Sequence, residues 1–346
     1  MKPQNIAAVM RGKGQLQIEE WPMPPIGEYD VGIQVKYVGL CGSDMHMFEF
    51  GSSGTYIVKP PFILGHEISG VVYAVGNKVK KYKVGDRVTA EPGIPCGNCE
   101  FCMKGNYNMC PDIHFKSAPP YDGMMQKYIV HPEKYVFKLP DTVDMKKGSL
   151  TEPAAVGIHA NELGDVGLNN TVTILGAGCI GLITMMIAKA RGARRIFVVD
   201  TLKNRLEMAK QLGADETINA IETDPVQCIL EKTNSEGTDV VFETAGNKIT
   251  AYQTSQLVRR TGKIVLVGNI HGDVAYNFRN LAVKEASLIA MWRYHNNFPE
   301  AIEALSHNWV DDKIITAVYP FEEAQNAFEQ SINHKDAVVK TMLKIT

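Results

Sequence analysis

Four of the chain's seven cysteines fall within the fifteen-residue stretch CGNCEFCMKGNYNMC. Their spacing is C-x2-C-x2-C-x7-C, formed by Cys96, Cys99, Cys102 and Cys110. Four thiolates at this spacing are typical of a tetrahedral structural zinc site, in which every coordination position is filled. A ferredoxin-type iron–sulfur cluster would need three residues before the last cysteine, not seven. We therefore predict a structural zinc ion here, and we expect the reactive site elsewhere.

A second set of metal-binding residue types lies in VGLCGSDMH and PFILGHEISG. Cys41, His66 and Glu67 offer one sulfur, one imidazole nitrogen and one carboxylate, and a catalytic zinc ion takes three protein ligands and keeps one position open. A single cysteine or histidine is, by itself, more often an ordinary core residue. Glu152 in TEPAAVG adds a second carboxylate, which could equally be an acid at a helix N-terminus.

A nucleotide-binding pattern follows near the middle of the chain. Gly176, Gly178 and Gly181 form G-x-G-x-x-G between the apolar strand TVTIL and an apolar helix, which is the context that supports the motif. Asp200 ends the next apolar run, RRIFVVD, at the distance expected of an acid that accepts the ribose 2′-hydroxyl. This carboxylate favours NAD over NADP, whereas Arg205, five residues later, is compatible with NADP.

The first 150 residues carry short alternating runs, bounded by glycine and proline, that predict β-strands. These runs are VGIQVKYV (31–38), ISGVVYAVG (68–76), VGDRVTA (84–90) and QKYIV (126–130). From about residue 152, strands alternate with helices, which predicts an α/β domain with a doubly wound parallel sheet. The last 50 residues predict two helices and a final strand, and pattern alone leaves open whether they join the parallel sheet or the first domain.

Length and charge narrow the class of protein. A chain of 346 residues with 36 basic and 38 acidic side chains predicts two domains and no electrostatic footprint for nucleic acid or for an anionic membrane. The apolar stretch 171–190 contains three glycines and Lys189, so it reads as strand, turn and helix rather than a membrane span. The N-terminus lacks the apolar core of a signal peptide, and the clustered cysteines suit a reducing compartment, so we expect a cytoplasmic protein.

Six motifs in a fixed order resemble those of the zinc-dependent medium-chain dehydrogenases, and within them the sorbitol (polyol) dehydrogenases. They are CGSDMH, GHE-x2-G-x5-G at 65–76, the four-cysteine lobe, EPAAVGIHA, GAGCIG and WRYHNNFPEAI. The resemblance covers nearly the whole chain. It implies a GroES-like, β-rich catalytic domain built from both chain ends around a Rossmann domain, and a homotetramer. The implied limits are 1–151 with a structural-zinc lobe at 93–112, 152–290, and 291–346.

The resemblance also implies roles for individual residues. Cys41, His66 and Glu67 resemble catalytic zinc ligands, and Glu152 resembles a carboxylate that binds the metal directly or through its water. Asp44 resembles the acid that orients the metal-bound histidine. The implied proton-relay and substrate residues are Ser43, His46, Glu152, Arg293 and Tyr294. The implied cofactor contacts are Gly176, Gly178, Ile180, Gly181, Asp200, Arg205, Val267, Gly268, Asn269, Met291, Trp292 and Arg293.

Together these parts predict NAD-dependent oxidation of a secondary hydroxyl of a polyol to a ketone, with two zinc ions per chain. L-threonine 3-dehydrogenase, whose family shares the metal architecture, and a butanediol or secondary-alcohol dehydrogenase remain alternatives, although WRY near the C-terminus favours a polyol. A zinc-ribbon module would lack the cofactor fingerprint, and the intact donor set argues against a silent cofactor sensor. His295 is a further candidate for the substrate pocket. The histidines expected at the surface or in loops are His114, His131, His271, His307 and His334.

Overall fold

The computed structural model describes residues 4–346 and divides them into two compact units. The first contains the chain up to Glu152 together with Phe298–Ser306 and Ile315–Thr346. The second contains Pro153–Asn297 and His307–Ile314. The limits implied by the family resemblance end the second domain at residue 290 and return the chain to the first domain at residue 291. The structure instead assigns 291–297 and 307–314 to the second unit, so the predicted limit differs there.

The first unit is rich in strands, as the alternating runs predicted. Up to Glu152 the strands are β1 (Asn5–Gly12), β2 (Gln15–Trp21), β3 (Asp30–Gly39), β4 (Ser52–Ser53), β5 (Tyr56–Ile57), β6 (Phe62–Ile63), β7 (Glu67–Val75), β8 (Arg87–Ala90), β9 (Gly93–Ile94), β10 (His114–Phe115), β11 (Tyr128–Pro132) and β12 (Val136–Lys138). Along β3, Val31, Ile33 and Val35 are all fully buried, which is the period of two expected of a strand with one face in the core.

Few helices accompany these strands. They are α1 (Gly42–Phe50), α2 (Glu100–Met103) and α3 (Met145–Gly148). Helix α4 (Thr151–Gly164) begins at the end of this unit, and its residues from Pro153 onward belong to the second unit. Helix α1 follows β3 directly, and β7 pairs antiparallel with β3 so that Gly39 lies opposite Glu67. This register brings the start of α1 close to the start of β7.

The second unit contains a six-stranded sheet in the order β15-β14-β13-β16-β17-β18, and all its pairings are parallel. Its strands are β13 (Thr171–Leu175), β14 (Arg195–Asp200), β15 (Glu216–Asn219), β16 (Thr238–Glu243), β17 (Val258–Leu266) and β18 (Ser287–Ala290). Its helices after α4 are α5 (Cys179–Ala190), α6 (Lys203–Gln211), α7 (Pro225–Lys232), α8 (Lys248–Leu257) and α9 (Phe278–Ala282). The strand order reverses between β13 and β16, and α/β sheets bind ligands at such a point, outside the carboxyl ends of the strands.

The last elements return to the first unit. They are α10 (Phe298–Ser306), β19 (Ile315–Pro320), α11 (Ala324–Asn333) and β20 (Lys340–Lys344). Strand β20 pairs antiparallel with β3, and Phe321 and Phe328 are buried in the core of this unit. The final segment therefore completes the first unit's main sheet, a point that the sequence pattern left open. Strand β19 was not predicted.

Within residues 4–346, no helix combines the length and the apolar character needed to cross a membrane.

Candidate active site

Cys41 is fixed by the start of helix α1. It is the N-cap residue of the helix, and Asp44, three positions later, completes a capping box by accepting a hydrogen bond from the Cys41 backbone N–H. The helix ends at Gly51, whose φ of 74° is the left-handed conformation that glycine adopts readily. The sequence CGSD thus serves local structure and presents the Cys41 sulfur at the N-terminus of the helix.

Asp44 also holds His66. Its carboxylate is fully buried and accepts hydrogen bonds from the Ser117 hydroxyl at 2.6 Å and the Gly65 N–H at 3.0 Å. Nδ1 of His66 lies 3.5 Å from Asp44 Oδ2. Burial alone would lower the pKa of His66, but Asp44 and then Cys41 outweigh it and raise the pKa well above its ordinary value. The negative groups around His66 thus favour a cation at this place, and the imidazole must give up its proton to bind a metal ion.

Glu67 is paired with a lysine that the sequence analysis missed. Lys340 on β20 forms an ion pair with Glu67, and the two side chains are 3% and 1% exposed. The same ammonium group donates a hydrogen bond to the Leu40 carbonyl at 2.9 Å. A Cβ atom at Gly39 would lie 2.2 Å from Glu67 Oε2, so a glycine leaves room for the carboxylate. A lysine inside the apolar run AVVKTMLKI was the available signal.

The ligand atoms of Cys41, His66 and Glu67 all lie within 4.8 Å of one another. One sulfur, one imidazole nitrogen and one carboxylate oxygen form a donor set that fits a catalytic zinc ion with an open coordination position. Glu152 is 6% exposed in the first turn of α4 and is not a member of this group of mutually close atoms. The arrangement therefore favours Glu67 over Glu152 as the carboxylate in the donor set.

The two predicted proton-relay residues lie on one face of α1. Ser43 and His46 are three positions apart, the spacing at which helical side chains are neighbours. Nδ1 of His46 is 2.7 Å from the Ser52 carbonyl oxygen, which can only accept a hydrogen bond. Nδ1 must therefore carry a proton, so only Nε2 of His46 can act as a proton acceptor. Both residues are partly exposed to solvent.

The four-cysteine lobe has the geometry of a metal site. The sulfur atoms of Cys99 and Cys102 are 3.4 Å apart, and those of Cys96 and Cys102 are 3.9 Å apart. Four sulfurs bound tetrahedrally to zinc at about 2.3 Å would be about 3.8 Å apart. Backbone N–H groups of Asn98 and Cys99 lower the pKa of Cys96 to about 7, whereas burial raises the pKa of Cys102 to about 12. The spacing of the sulfurs, rather than their pKa values, is therefore what supports a metal site. All four cysteines are free of disulfides, and they fit one closed zinc site.

Glu91, whose burial no sequence motif indicated, contacts the four-cysteine lobe and interacts electrostatically with Glu152. It is 3% exposed and accepts a hydrogen bond at 2.7 Å from the hydroxyl of Tyr107, a lobe residue. Burial raises the pKa of Glu91 to about 7, and the negative charge of Glu152 adds to this. Nε2 of His131 lies 2.8 Å from the Glu91 carbonyl oxygen. The expectation that His131 is a surface residue is wrong, because its ring is fully buried and burial lowers its pKa to about 3.

The fingerprint glycines of the second unit have separate roles. Gly176 has a φ of 105°, a backbone conformation that favours glycine. A Cβ atom at Gly181 would lie 1.9 Å from the Gly176 carbonyl oxygen, so no larger residue fits there. A Cβ atom at Gly178 would meet only Arg205, at 3.9 Å. Gly178 is the N-cap of α5 and supplies no side-chain cap. Open space before uncapped N–H groups fits the pyrophosphate of a dinucleotide.

Asp200 ends β14 beside this turn. One oxygen accepts the Ala177 N–H at 2.7 Å and lies 3.9 Å from a guanidinium nitrogen of Arg205. The other accepts the N–H groups of Thr201 and Leu202 at 2.7 and 3.0 Å. A carboxylate has about four acceptor positions, so Asp200 can still accept a ribose hydroxyl.

The remaining predicted cofactor residues follow β17 and β18 at the same carboxyl edge, except Ile180, which is in α5. Val267 and Gly268 both donate backbone hydrogen bonds to the Glu243 carbonyl at 2.8 Å, and Met291 donates one to Leu266 at 3.1 Å. Asn269 is exposed. Trp292 is half-exposed, and its ring centre lies 5.1 Å from the guanidinium of Arg293. Tyr294, expected to contact substrate, is only 3% exposed.

Comparison with known families agrees with both units. The model of the alcohol dehydrogenase GroES-like domain matches residues 27–141, and that of the zinc-binding dehydrogenase matches residues 179–307. The chain belongs to the zinc-dependent medium-chain dehydrogenase family and is an oxidoreductase of the zinc alcohol dehydrogenase type. Within that family it is sorbitol-dehydrogenase-like.

Individual relatives cover almost the full chain. The chain is 41% identical to the sorbitol dehydrogenase of Bacillus subtilis (strain 168), over 99% of this chain and 98% of that protein. It is 45% identical to an uncharacterized zinc-type alcohol dehydrogenase-like protein of Escherichia coli (strain K12), over 99% of both chains. A crystal structure of an Escherichia coli oxidoreductase of unknown specificity, involved in membrane biogenesis, matches with a TM-score of 0.96 and 44% identity, over 99% of this chain and 100% of that one.

Proposed function

We propose that the protein oxidises a secondary hydroxyl of a polyol, of the sorbitol, xylitol or iditol type, to a ketone, with NAD as the hydride acceptor. The observation that carries the proposal is the convergence of Cys41, His66 and Glu67 into one donor set. The support for a polyol as the substrate comes from the 41% identity with the Bacillus subtilis sorbitol dehydrogenase.

Cys41, His66 and Glu67 would hold the catalytic zinc ion. When bound, zinc supplies a Lewis acid that lowers the pKa of an oxygen ligand, and a nicotinamide ring supplies the acceptor for hydride. The protein's own contribution is to hold the donors in place. Asp44 orients the imidazole of His66, and Lys340 fixes the Glu67 carboxylate.

The hydroxyl proton of the substrate must leave when the ketone forms. Ser43 can accept it and pass it to Nε2 of His46, because Nδ1 of that ring is already committed to the Ser52 carbonyl. The imidazole is partly exposed, so it can release the proton to water. Glu152 is a second group that could hold a proton near the donor set.

Specificity would come from polar partners. Arg293 and Tyr294 would hold the hydroxyls next to the reacting carbon, since a site built to hydrogen-bond a substrate hydroxyl discriminates against an alcohol that lacks it. Asp200 would accept the ribose 2′-hydroxyl and repel a 2′-phosphate, which favours NAD over NADP.

Substrate and cofactor are tested together by following reduced-cofactor absorbance with sorbitol, xylitol, iditol, butanediol and threonine, each with NAD and NADP. We expect turnover of polyols with NAD. Turnover of threonine or butanediol alone would refute the polyol assignment, and a strong preference for NADP would refute the role of Asp200.

Metal analysis of cysteine variants tests the two zinc sites. We expect two zinc ions in the wild type, and one in each of Cys41→Ser and Cys99→Ser. Cys41→Ser should lose turnover and remain folded, whereas Cys99→Ser should chiefly lose thermal stability. Cys228→Ser is the matched control, because Cys228 belongs to neither ligand group, and it should keep both ions. Full activity in Cys41→Ser would contradict the proposed mechanism.

A further inference from the structure

A short turn after β18 has an unfavourable backbone conformation. Arg293 and Asn296 are not glycines, yet their φ angles are 54° and 61°. Asparagine adopts this left-handed region more readily than most residues, so the strain lies mainly at Arg293, a residue type that adopts it rarely and holds it where the surroundings impose the conformation. Tyr294 and His295 lie between them. The turn at 293–296 therefore needs an anchor outside itself.

Asn297 provides that anchor. It is 3% exposed, and its Nδ2 donates hydrogen bonds to both carboxylate oxygens of Glu162 on α4, each at 3.1 Å. Its Oδ1 lies 3.3 Å from the backbone N–H of His295, so the same side chain also contacts the turn. Hydrogen bonds to a carboxylate are stronger than those between neutral groups.

Two histidines complete the contact. Nδ1 of His159, also on α4, lies 3.3 Å from Glu162 Oε2, and its ring meets the ring of His295 edge to face with centroids 4.8 Å apart. The hydrogen bond from His159 lowers the pKa of Glu162, so the carboxylate stays ionised at neutral pH. We call Glu162, Asn297, His159 and His295 the turn clamp.

We propose that Glu162 and Asn297 are positioning residues that make the enzyme selective for polyols, by fixing the turn that carries Arg293 and Tyr294. This inference rests on the proposed function, in which those two side chains hold the hydroxyls beside the reacting carbon. An alcohol with one hydroxyl makes no use of such contacts. Loosening the turn clamp should therefore weaken polyol binding and spare a simple secondary alcohol.

The test compares KM and kcat for sorbitol and for 2-butanol in the wild type, Glu162→Ala, Asn297→Ala and Glu162→Gln. Losing a hydrogen bond to a substrate hydroxyl costs up to about 10-fold in affinity, so we expect the KM for sorbitol to rise by about 10-fold in both alanine variants. The KM for 2-butanol should change by less than about twofold. Glu162→Gln keeps an acceptor oxygen for Asn297 and should recover most of the loss.

Asn161→Ala is the matched control. Asn161 is a fully buried amide on the same helix, but its Nδ2 donates to the carbonyls of Gly157 and Thr184 rather than to the turn. It should lower thermal stability without changing the ratio of the two KM values. Equal losses on both alcohols in Glu162→Ala, or an unchanged sorbitol KM, would overturn the proposal.

Hydrogen exchange of the amides in 291–297 separates this inference from the proposed function. Faster exchange in Glu162→Ala, with polyol selectivity lost, supports the turn clamp. Unchanged exchange overturns it, whatever the substrate. If the wild type oxidises 2-butanol but no polyol, the proposed function is refuted. The selectivity role of the turn clamp is then refuted as well, even if the amides of the variant exchange faster.

Discussion

Replacing Lys340 with methionine should destabilise the metal-free protein far more than the zinc-loaded protein. Methionine keeps most of the volume of lysine but removes the charge that pairs with Glu67 and the hydrogen bond to the Leu40 carbonyl. Both members of the ion pair are almost completely buried. Without zinc, the variant would leave a carboxylate with no cation beside it.

The size of the effect follows from this burial. Removing one partner of a buried ion pair costs about 3–5 kcal/mol, because the remaining charge is uncompensated. With zinc bound, the Glu67 carboxylate would have a dication within ligand distance, so this charge cost would be largely removed. The unpaired Leu40 carbonyl costs about 1–3 kcal/mol in both states and cancels from the comparison. The variant should therefore lose about 3–5 kcal/mol more free energy of unfolding in chelator than in zinc.

The assay is urea denaturation in chelator and in zinc. Of the three tryptophans, Trp21 lies in the first unit and the other two in the second, so Trp292→Phe and Trp309→Phe give a background whose fluorescence reports the first unit. Lys344→Met is the control, because Lys344 is an exposed lysine on the same strand and should change stability by less than about 0.5 kcal/mol. An equal loss with and without zinc would falsify the reasoning.

Three further predictions concern the cofactor turn, Glu91 and the relay histidine. Gly178→Ala should weaken NAD binding with little loss of stability. Gly181→Ala should destabilise the second unit, because a Cβ atom at Gly181 meets backbone and one at Gly178 does not. Calorimetry measures the stability and cofactor titration the binding, and equal stability losses in the two variants would contradict the assignment. The pKa of Glu91 is raised from 4.5 to about 7, so the folded state binds an extra proton between these values, and stability falls as pH rises through that window. Glu91→Gln should remove this fall, which is worth up to about 3 kcal/mol. The check is the free energy of unfolding of the wild type and of the variant, each measured from pH 4.5 to 8. The same pH dependence in both proteins would show that Glu91 does not titrate in that window. His46→Ala should lower kcat at neutral pH by about 100-fold and be partly rescued by added imidazole, and an unchanged kcat would remove His46 from the proton path.

Much of the candidate site was predictable because its residues lie close together in the sequence. Four cysteines close in sequence can meet around one ion whatever the rest of the fold does, and the fingerprint glycines act within a single strand–turn–helix. Asp44 was found through its resemblance to an orienting acid. The capping box shows the local reason for its place, three residues after Cys41.

The groups that were missed depend on contacts distant in sequence. Ser117 reaches Asp44 across 73 positions, and Lys340 reaches Leu40 across 300. No periodicity within one segment could pair them. Glu91 was overlooked because a glutamate before a proline is ordinary in a loop, and only the fold shows it buried beneath Tyr107.

The error at His131 was avoidable. Strand β11 alternates partly exposed and buried residues, and His131 shares the buried face with Ile129. The run QKYIV predicts a strand, and a period of two extends its inward face from Ile129 to His131. In this strand the alternation outweighs the general preference of histidine for partly exposed positions.

The order of synthesis has a consequence for how the metal centre matures. Leu40 and Lys340 are hydrogen-bonded although 300 positions separate them, and the strand that carries Lys340 pairs with β3. At about 5–20 residues per second, a ribosome needs on the order of tens of seconds to cover that distance. Throughout that interval the nascent Glu67 lacks its ammonium partner, and all six strands of the parallel sheet, the last of which ends at Ala290, are synthesised before Lys340. We therefore expect zinc to be captured late, after β20 has emerged and joined its neighbour.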